Sequence, residues 1–140
     1  MSTENLIKKL SPLLTPSRLE KFNKTINFRT NYISVVLEDI FQSQNASAVV
    51  RTCECFGIQN INVIENRNTY EINPDVVLGS TKWINLRKFN ERANNTLNAI
   101  KQLKKENYRI VATSPHTNDV NLSELNLDKG KIAIVFGSEL

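Results

Sequence analysis

Five short apolar runs alternate along the chain with segments of helical periodicity, and this alternation constrains the fold more than any other feature. The first run, "YISVVLEDI" from residue 32, is nearly continuous in apolar character, which is typical of a strand covered on both faces. The later runs are "NINVIEN" from residue 60, "WINLRKF" from residue 83, "YRIVATS" from residue 108 and "KIAIVFG" from residue 131. Strands that alternate with helices predict an α/β fold with a mostly parallel sheet and helices on both faces.

Four segments have the caps and the apolar spacing of helices. We predict a short helix in "STENLIKKL", a second that Thr15 caps, a third that Asn45 caps and Gly57 ends, and a fourth from Asn90 to about Glu106. On the third helix, the residues at i, i+3, i+4 and i+7 that predict a buried face are Ala46, Val49, Val50 and Cys53. On the fourth, the residues expected to face inward are Ala93, Leu97, Ile100 and Leu103.

Length and composition suit a single soluble domain. The chain has 140 residues, of which 40% are hydrophobic and 23% are charged, an ordinary globular composition. No apolar run approaches the roughly 20 residues that span a bilayer, and the N-terminus has too short an apolar run for a secretory signal. We therefore expect a cytoplasmic protein without a membrane partner.

The positive charge is concentrated at the N-terminus. Residues 1 to 31 carry the whole net charge of +4, since the rest of the chain has twelve cations and twelve anions. A basic extension on a neutral domain favours a polyanion as partner, although a solvated helix surface explains the charge equally well.

Two cysteines and one histidine give little basis for a disulfide or a metal site. Cys53 and Cys55 are two residues apart on a predicted helix, where side chains at i and i+2 do not face each other. His116 lies far from both in the sequence, so zinc ligation is poorly supported. We expect reduced thiols, no metal, and a loop histidine without a catalytic role.

Asn45 and Arg51 are polar residues near the start of the third predicted helix. A surface or ion-paired arginine is the simplest interpretation of Arg51, but its position favours another. In open α/β sheets, ligands bind outside the carboxyl ends of the strands, and the N-terminus of this helix points free N–H groups toward that edge. An arginine one to two turns into the helix could reach a phosphate there.

Two further strands end in polar residues at the same edge. Thr113 follows the fourth strand, and Gly137 and Glu139 follow the fifth. A glycine directly after a buried strand lets a ligand approach closely. Each strand end taken singly is ordinary, but together with Asn45 they predict a pocket. Elsewhere, "LGSTKW" places Lys82 in a turn that is either plain or faces a phosphate.

The sequence lacks the motifs of several enzyme classes. It contains neither a G-x-x-x-x-G-K-[ST] phosphate loop nor a G-x-G-x-x-G dinucleotide turn. A G-x-S-x-G elbow is also missing, so a serine hydrolase is not supported.

Three of these segments together resemble the SpoU-type RNA 2′-O-ribose methyltransferases of the SPOUT superfamily. "NASAVVRTCECFG" is similar to the family's first motif, which has an Asn, an Arg six residues later and a closing Gly. "LGSTKW" resembles its Gly-Ser turn and tryptophan, and "IVFGSEL" resembles the start of its second motif. The order and spacing agree across roughly residues 16 to 140, and the basic extension resembles the TrmH-like tRNA guanosine methyltransferase branch.

The resemblance implies a Rossmann-like fold with a C-terminal trefoil knot, a homodimer whose site draws on both chains, and S-adenosylmethionine as the methyl donor to a D-loop guanosine of tRNA. It implies that Arg51 and Asn45 act at the ribose 2′-hydroxyl and that Thr113, Gly137 and Glu139 lie beside the donor. It implies no metal. The residues expected to contact RNA are Arg18, Lys21, Lys24 and Lys82.

The chain departs from the family pattern in two places. Relatives often have Pro and then His or Asn before the motif asparagine, where this chain has Ser43 and Gln44. The third motif, an Asn-containing loop and helix that closes the knot and half the donor pocket, is missing and would follow Leu140. We therefore expect residues 1–31 to be a basic helical extension and residues 32–140 a methyltransferase domain truncated before its third motif, with an incomplete knot and no activity alone.

Two other functions stay open. One is an rRNA 2′-O-methyltransferase of the same family, although those often carry a separate N-terminal RNA-binding domain, for which residues 1–31 are too short. The other is a non-catalytic RNA-binding module that has lost the methyl site. The role of Arg51 is also open. The pKa of arginine lies above about 12, which favours orienting the hydroxyl with a substrate phosphate and stabilising charge over taking the proton.

Overall fold

The chain folds around a five-stranded parallel sheet. A computed structural model describes residues 2–115 and 119–137, and its strands are Thr30–Glu38 (β1), Ile58–Ile64 (β2), Asn85–Phe89 (β3), Arg109–Ala112 (β4) and Ile132–Phe136 (β5). The strands lie in the order β3-β2-β1-β5-β4, and each neighbouring pair is parallel. The predicted parallel sheet is confirmed, and each predicted run overlaps one strand.

Helices cover both faces of the sheet, as predicted. In the described parts of the chain the α-helices are Thr3–Leu10 (α1), Pro16–Ile26 (α2), Ser43–Cys55 (α3), Pro74–Val77 (α4) and Asn95–Lys105 (α5). Short 3₁₀ turns occupy Ser11–Leu13, Ser80–Lys82 and Leu122–Glu124. α3 and α4 pack on one face of the sheet, and α5 packs on the other.

The central strand β1 sends alternate side chains into two apolar cores. Val35 and Leu37 pack on the side of Val50 of α3, whereas Val36 packs on the side of Leu103 of α5. All five side chains are at most 4% exposed. Because successive residues of a strand point to opposite faces, a strand covered on both sides needs the nearly continuous apolar run that the sequence shows.

The start of α3 differs from the prediction. The helix begins at Ser43 with Gln42 in the N-cap position, so Asn45 is the third helical residue, and the prediction that it caps the helix is wrong. Gln42 makes no side-chain capping hydrogen bond. The favourable residue type at Asn45 was outweighed by the tertiary position of the first turn, in which Ala46 and Ser47 are fully buried.

Gly57 ends α3 as predicted. The residue is left-handed, with φ +74°, and its N–H donates to the carbonyl of Glu54 at 3.1 Å. Its own carbonyl accepts the N–H of Thr30 at 2.8 Å. The end of α3 is thereby joined to the start of β1.

The start of α5 also differs from the prediction. Asn94 caps the helix, because its side chain accepts the N–H of Leu97 at 2.9 Å. The predicted cap, Asn90, lies before the helix and donates to the carboxylate of Glu65 at 2.9 Å. The prediction chose the first of several asparagines, and the contacts with β2 and its loop select a later one.

The buried face of α5 is shifted accordingly. Ala93 precedes the helix and is exposed, and Leu97 is 49% exposed, so the prediction was wrong for both. Leu103 is buried and Ile100 is half-buried, as expected for residues on the inner face. The buried positions of this helix are Asn95, Ala99 and Leu103.

α1 and α2 form the N-terminal extension and bury no residue of their own. Thr15 caps α2 as predicted, accepting the N–H of Arg18 at 3.4 Å. The extension meets the rest of the chain through Phe22, whose ring centroid lies 5.7 Å from that of Trp83. Among the helices described, none combines the length and the apolar character that crossing a membrane requires.

Candidate active site

A cavity of about 340 Å³ lies at the carboxyl edge of the sheet, where the sequence predicts a pocket. The loop after β1, the first turns of α3 and the end of β5 form its walls. The lining residues are Ile40, Phe41, Gln42, Asn45, Val49, Phe136 and Gly137. The lining side chains are apolar apart from two amides, polar atoms form a large part of the lining surface, and the described lining residues carry no charge. The volume lies in the range of small-molecule sites.

Asp39 fixes the loop that forms one wall. Its backbone is left-handed, with φ +49°, and its carboxylate accepts the N–H groups of Asn66, Arg67 and Asn68 at 2.7, 2.8 and 3.3 Å. Burial raises the pKa of this carboxyl, but the backbone N–H groups outweigh burial and hold the pKa below its usual value. An ionised Asp39 therefore ties the loop after β1 to the loop after β2.

Asn45 presents its amide at the cavity. It lies in the first turn of α3, and its side chain is exposed. The backbone N–H groups of a first helical turn lack intrahelical acceptors and carry partial positive charge. This end of the cavity therefore offers hydrogen-bond donors from the backbone and both a donor and an acceptor from Asn45.

Arg51 does not line this cavity. It follows Asn45 by six residues, which places it about 9 Å farther along the helix axis and about 120° around it. The side chain is exposed, and within the described parts of the chain it has no hydrogen bond or ion pair. In a single chain, the structure does not bring Arg51 together with Gly137.

β4 and β5 end side by side near the cavity. The N–H and the hydroxyl of Thr113 both donate to the carbonyl of Val135, at 3.0 and 3.1 Å, and Thr113 does not line the cavity. Gly137 does line it, and a Cβ placed there would meet no atom within 4 Å. Glu139 and His116 lie outside the described residues.

The cations expected to contact RNA lie toward the opposite, amino edge of the sheet. Lys21 and Lys82 line one cavity of about 500 Å³ between α2 and the start of β3. The guanidinium carbon of Arg18 lies 5.8 Å from the ring centroid of Phe22, and Lys24 is exposed on α2. The structure therefore groups Lys21 with Lys82 and separates both from the carboxyl-edge cavity.

Cys53 and Cys55 are both free thiols. Cys53 is buried, and burial raises its pKa to about 11, whereas Cys55 is exposed. Across residues 2–115 and 119–137, no group of three or more His, Cys, Asp and Glu side chains is placed to hold a metal ion.

Sequence reasoning did not single out the apolar walls of the cavity. Phe41 is 76% exposed. A large apolar residue inside the polar loop "EDIFQSQN" could have indicated a cavity wall at this position. Val49 was predicted on the buried face of its helix by spacing, and Phe136 belonged to the fifth predicted strand. Neither pattern distinguishes a core wall from a cavity wall. Asp39 gave no signal, because carboxylates are common in loops.

The chain is similar to one family along most of its length. Residues 32–140 match the model of the SpoU rRNA Methylase family. A tRNA (guanosine(18)-2′-O)-methyltransferase of Borreliella burgdorferi is 48% identical over 94% of this chain and 58% of its own length. A protein of the same name from Aquifex aeolicus is 27% identical over 91% of this chain and 59% of its own. The chain thus spans about three-fifths of the length of these relatives.

Solved structures of similar proteins have the same fold. The A. aeolicus TrmH/SpoU tRNA modifying enzyme superposes with a TM-score of 0.73 at 26% identity, covering 89% of this chain and 61% of that one. The AdoMet-bound rRNA methyltransferase from Sinorhizobium meliloti gives a TM-score of 0.65 at 18% identity, covering 82% of this chain and 43% of that one. The second likeness concerns the fold alone, and both agree with the predicted α/β architecture.

Proposed function

Because this chain belongs to the SpoU rRNA Methylase family, we propose that it provides the catalytic domain of an S-adenosylmethionine-dependent methyltransferase that modifies the ribose 2′-hydroxyl of a D-loop guanosine in tRNA. The observation that carries the proposal is the 48% identity, over 94% of the chain, to a protein named tRNA (guanosine(18)-2′-O)-methyltransferase. The position of the cavity supports it, since ligands of open α/β sheets bind at the carboxyl edge.

The carboxyl-edge cavity suits part of such a methyl donor. Its apolar walls, among them Val49 and Phe136, fit the uncharged parts of the molecule, and the amides of Gln42 and Asn45 offer polar contacts. A sulfonium group is repelled by nearby cations, and the described lining residues include none. When bound, S-adenosylmethionine supplies an electrophilic methyl group, and its transfer leaves a neutral thioether.

Three residues are assigned to the donor side of the site. Gly137 lines the cavity and leaves its backbone open to a ligand. Thr113 stands at the end of β4, where its hydrogen bonds to Val135 hold the two strand ends together. Glu139 is assigned by its place in the motif, two residues after Gly137.

Arg51 and Asn45 are assigned to the ribose. The 2′-oxygen must lose its proton as the bond to the methyl carbon forms, and arginine, with a pKa above about 12, is a poor base. Arg51 therefore orients the hydroxyl together with a substrate phosphate and stabilises the negative charge that develops on the oxygen. Asn45 holds the same hydroxyl by a hydrogen bond.

The active form is proposed to be a homodimer in which both chains contribute to each site. Arg51 is exposed and does not line the cavity that Asn45 and Gly137 share in one chain. A second copy that presents its Arg51 to this cavity would bring the arginine together with Asn45 and Gly137. A two-fold arrangement would do so at both sites at once.

Residues 1–31 are proposed to be an RNA-binding extension, and residues 32–140 a methyltransferase domain without its third motif. The exposed cations Arg18, Lys21 and Lys24 on α2 support the first assignment, and Lys82 lines the same cavity as Lys21. A tRNA-modifying role puts the protein in the cytoplasm. The coding sequence after codon 140 tests the second assignment: an Asn-containing loop and helix are expected, with the knot, and an immediate stop codon would contradict it.

A methylation assay tests the proposed activity. Protein expressed from the complete coding sequence is incubated with methyl-labelled S-adenosylmethionine and an unmodified tRNA transcript, and the labelled nucleotide is mapped. We expect label on the 2′-oxygen of a D-loop guanosine. Label on rRNA alone would favour the rRNA-modifying alternative, to which the family description also points. RNA binding without any label would favour a non-catalytic module.

A further inference from the structure

The amino-edge cleft is the cavity of about 500 Å³ between α2 and the start of β3, and its walls include Lys21, Phe22, Arg29, Lys82 and Trp83. We propose that this cleft binds an unpaired nucleotide of the RNA substrate, with the base stacked on Trp83 and the phosphate held by Lys21 and Lys82. This inference rests on the proposed function, because it takes the partner to be RNA.

Two aromatic rings form one wall of the cleft. The ring centroids of Phe22 and Trp83 are 5.7 Å apart, and the ring planes are tilted by 55°. Trp83 nevertheless stays 50% exposed, so Phe22 covers only part of its indole. An indole that is half open to a cleft offers a flat surface on which any base can stack, whatever its identity.

The lysines supply positive charge that the fold leaves free. Lys21 and Lys82 both line the cleft, and across residues 2–115 and 119–137 neither has a hydrogen bond or ion pair. The charged residues placed on the cleft wall are three cations and one carboxylate. That carboxylate, Glu54, is engaged by Nη2 of Arg29 at 2.8 Å.

Arg29 leaves one N–H group without an acceptor beside the cleft, among the described residues. Its side chain is only 10% exposed, and Nη1 is buried without a hydrogen-bond acceptor among the described residues. The ion pair with Glu54 therefore satisfies one side of the guanidinium only. The pair of Arg29 and Glu54 is neutral as a whole, so the net positive charge of the cleft wall comes from Lys21 and Lys82.

Charge favours a nucleotide over a protein segment as the occupant. The cores of protein–protein interfaces are depleted in lysine, and an apolar helix in the cleft would desolvate both ammonium groups without a counterion. A nucleotide brings an anionic phosphate and a flat base together, which matches the two lysines and the exposed indole. The cleft volume is also in the range for one ligand of this size.

The nucleotide in the cleft is a different one from the nucleotide that is methylated in the same chain. β1 runs for nine residues between the two edges of the sheet, and at about 3.3 Å per residue this separates them by about 30 Å. The cleft therefore binds a single-stranded part of the RNA away from the target ribose, and it contributes to affinity rather than to the chemistry.

Tryptophan fluorescence tests the inference directly, because Trp83 is the single tryptophan of the chain. Protein expressed from the complete coding sequence is titrated with a uridine oligonucleotide of about eight residues, within the site sizes of single-strand binders. Subtracting the signal of the Trp83→Phe variant isolates the Trp83 emission. We expect saturable quenching of the Trp83 emission, weaker binding at higher salt, and less quenching by an RNA duplex of the same length.

Substitutions test the lysines and the tryptophan of the cleft separately. The double variant Lys21→Ala/Lys82→Ala should bind the labelled oligonucleotide more weakly, and the salt slope should fall by about 0.7 for each lost contact. Trp83→Leu should weaken binding roughly 5- to 100-fold, and Trp83→Phe, which keeps a ring, by less. Lys101→Ala/Lys104→Ala removes the same charge from exposed positions of α5 and should leave binding unchanged.

The outcomes distinguish this inference from the proposed function. Quenching that depends on Lys21 and Lys82, in a protein that methylates no RNA, would support the cleft and defeat the proposed activity. Methylation of tRNA by a protein whose Trp83 is not quenched, and whose double lysine variant binds normally, would overturn the cleft alone. The inference would also be overturned if the Trp83 emission shifted to shorter wavelength with rising protein concentration in the absence of RNA. A second copy of the chain would then cover the cleft.

Discussion

The backbone at Gly57 leaves no room for a side chain. The residue has φ +74°, and a Cβ built on it would lie 2.1 Å from the carbonyl oxygen of Phe28. That oxygen belongs to the backbone between α2 and β1, so relieving the clash means moving the chain. Glycine is therefore required here by conformation and by space together.

Replacing Gly57 with alanine should lower the free energy of unfolding by more than about 2 kcal/mol. The left-handed conformation accounts for about 1 kcal/mol, and the contact with Phe28 adds the rest. Gly130→Ala is the matched control, since Gly130 has φ +92° but no atom within 4 Å of a Cβ, and it should cost about 1 kcal/mol. Urea denaturation measures both, and equal losses would contradict the crowding at Gly57.

Asp39 should make the stability of the fold depend on pH. Its folded pKa lies below the usual value of 3.8, so ionised Asp39 stabilises the fold above that pH, and the contribution is lost as pH falls through the folded pKa. Asp39→Asn keeps an oxygen acceptor and removes the charge. We expect it to cost about 1 to 2 kcal/mol at neutral pH.

The pH profile of the Asp39→Asn variant supplies the check. Urea denaturation of both proteins gives the difference in unfolding free energy at each pH, and shifts of other carboxyls such as Glu65 cancel in it. This difference should shrink as the pH falls below about 4. A difference that stays constant over that range would show that the charge of Asp39 does not hold the loop.

Among the helices, α3 connects the two edges of the sheet for which we propose functions. Its first turn lines the carboxyl-edge cavity through Asn45, and near its last turn Glu54 pairs with Arg29 on the wall of the amino-edge cleft. Since Val50 and Cys53 are buried between these ends, the helix is fixed along its length. Its position therefore sets the spacing between the two sites.

Asn94, the N-cap of α5, should contribute measurably to the stability of the fold. Asn94→Ala should lower the free energy of unfolding by about 1 kcal/mol, because it leaves the N–H of Leu97 without its acceptor. Asn94→Ser should retain most of that stability, since serine also caps helices. Thermal or urea unfolding measures the effect. An Asn94→Ala variant as stable as the unchanged protein would contradict the assignment of Asn94 as the cap.

The elements were predictable in type and less so at their ends. The strand in the run from residue 32 is buried on both faces. Because such a strand needs apolar residues at nearly every position, it can be recognised in a single sequence. Helix starts depend on which of several suitable residues the tertiary structure selects. At α5, Asn95 is buried and donates to the carbonyl of Glu65 at 2.8 Å, and this contact, invisible to local pattern, fixes the start that the prediction missed.

At the scale of the whole molecule, the sequence predicted a carboxyl-edge site but not how its residues group. Asn45 and Gly137 do share a cavity, as adjacent strand ends allow. Arg51 stands away from them, because the rotation along α3 turns it to another face. Lys21 and Lys82 line one cavity at the amino edge, and spacing along the chain cannot reveal that these distant segments come together. The methyl donor and the RNA substrate were suggested by family resemblance and not by periodicity.

In the proposed function, the two edges of the sheet hold the RNA at two separate places. The carboxyl edge has an uncharged cavity suited to the methyl donor, and the amino edge has a cationic, aromatic cleft. If both proposals hold, chemistry takes place at one edge of the sheet and RNA affinity comes from the other. Loss of the cleft should raise the RNA concentration needed for reaction, whereas loss of Arg51 should slow the reaction at any RNA concentration.

The rate of tRNA methylation by an Arg51→Ala variant tests the proposed activity together with the proposed role of Arg51. Single-turnover reactions compare it with the unchanged protein, each expressed from the complete coding sequence, with urea denaturation as the check on folding. We predict that the unchanged protein methylates the 2′-oxygen of a D-loop guanosine and that the variant is slower by roughly 10² to 10³-fold. Its stability should be unaffected, since Arg51 is exposed and has no partner within the described parts of the chain. A folded Arg51→Ala protein that methylates tRNA at the unchanged rate would contradict the account.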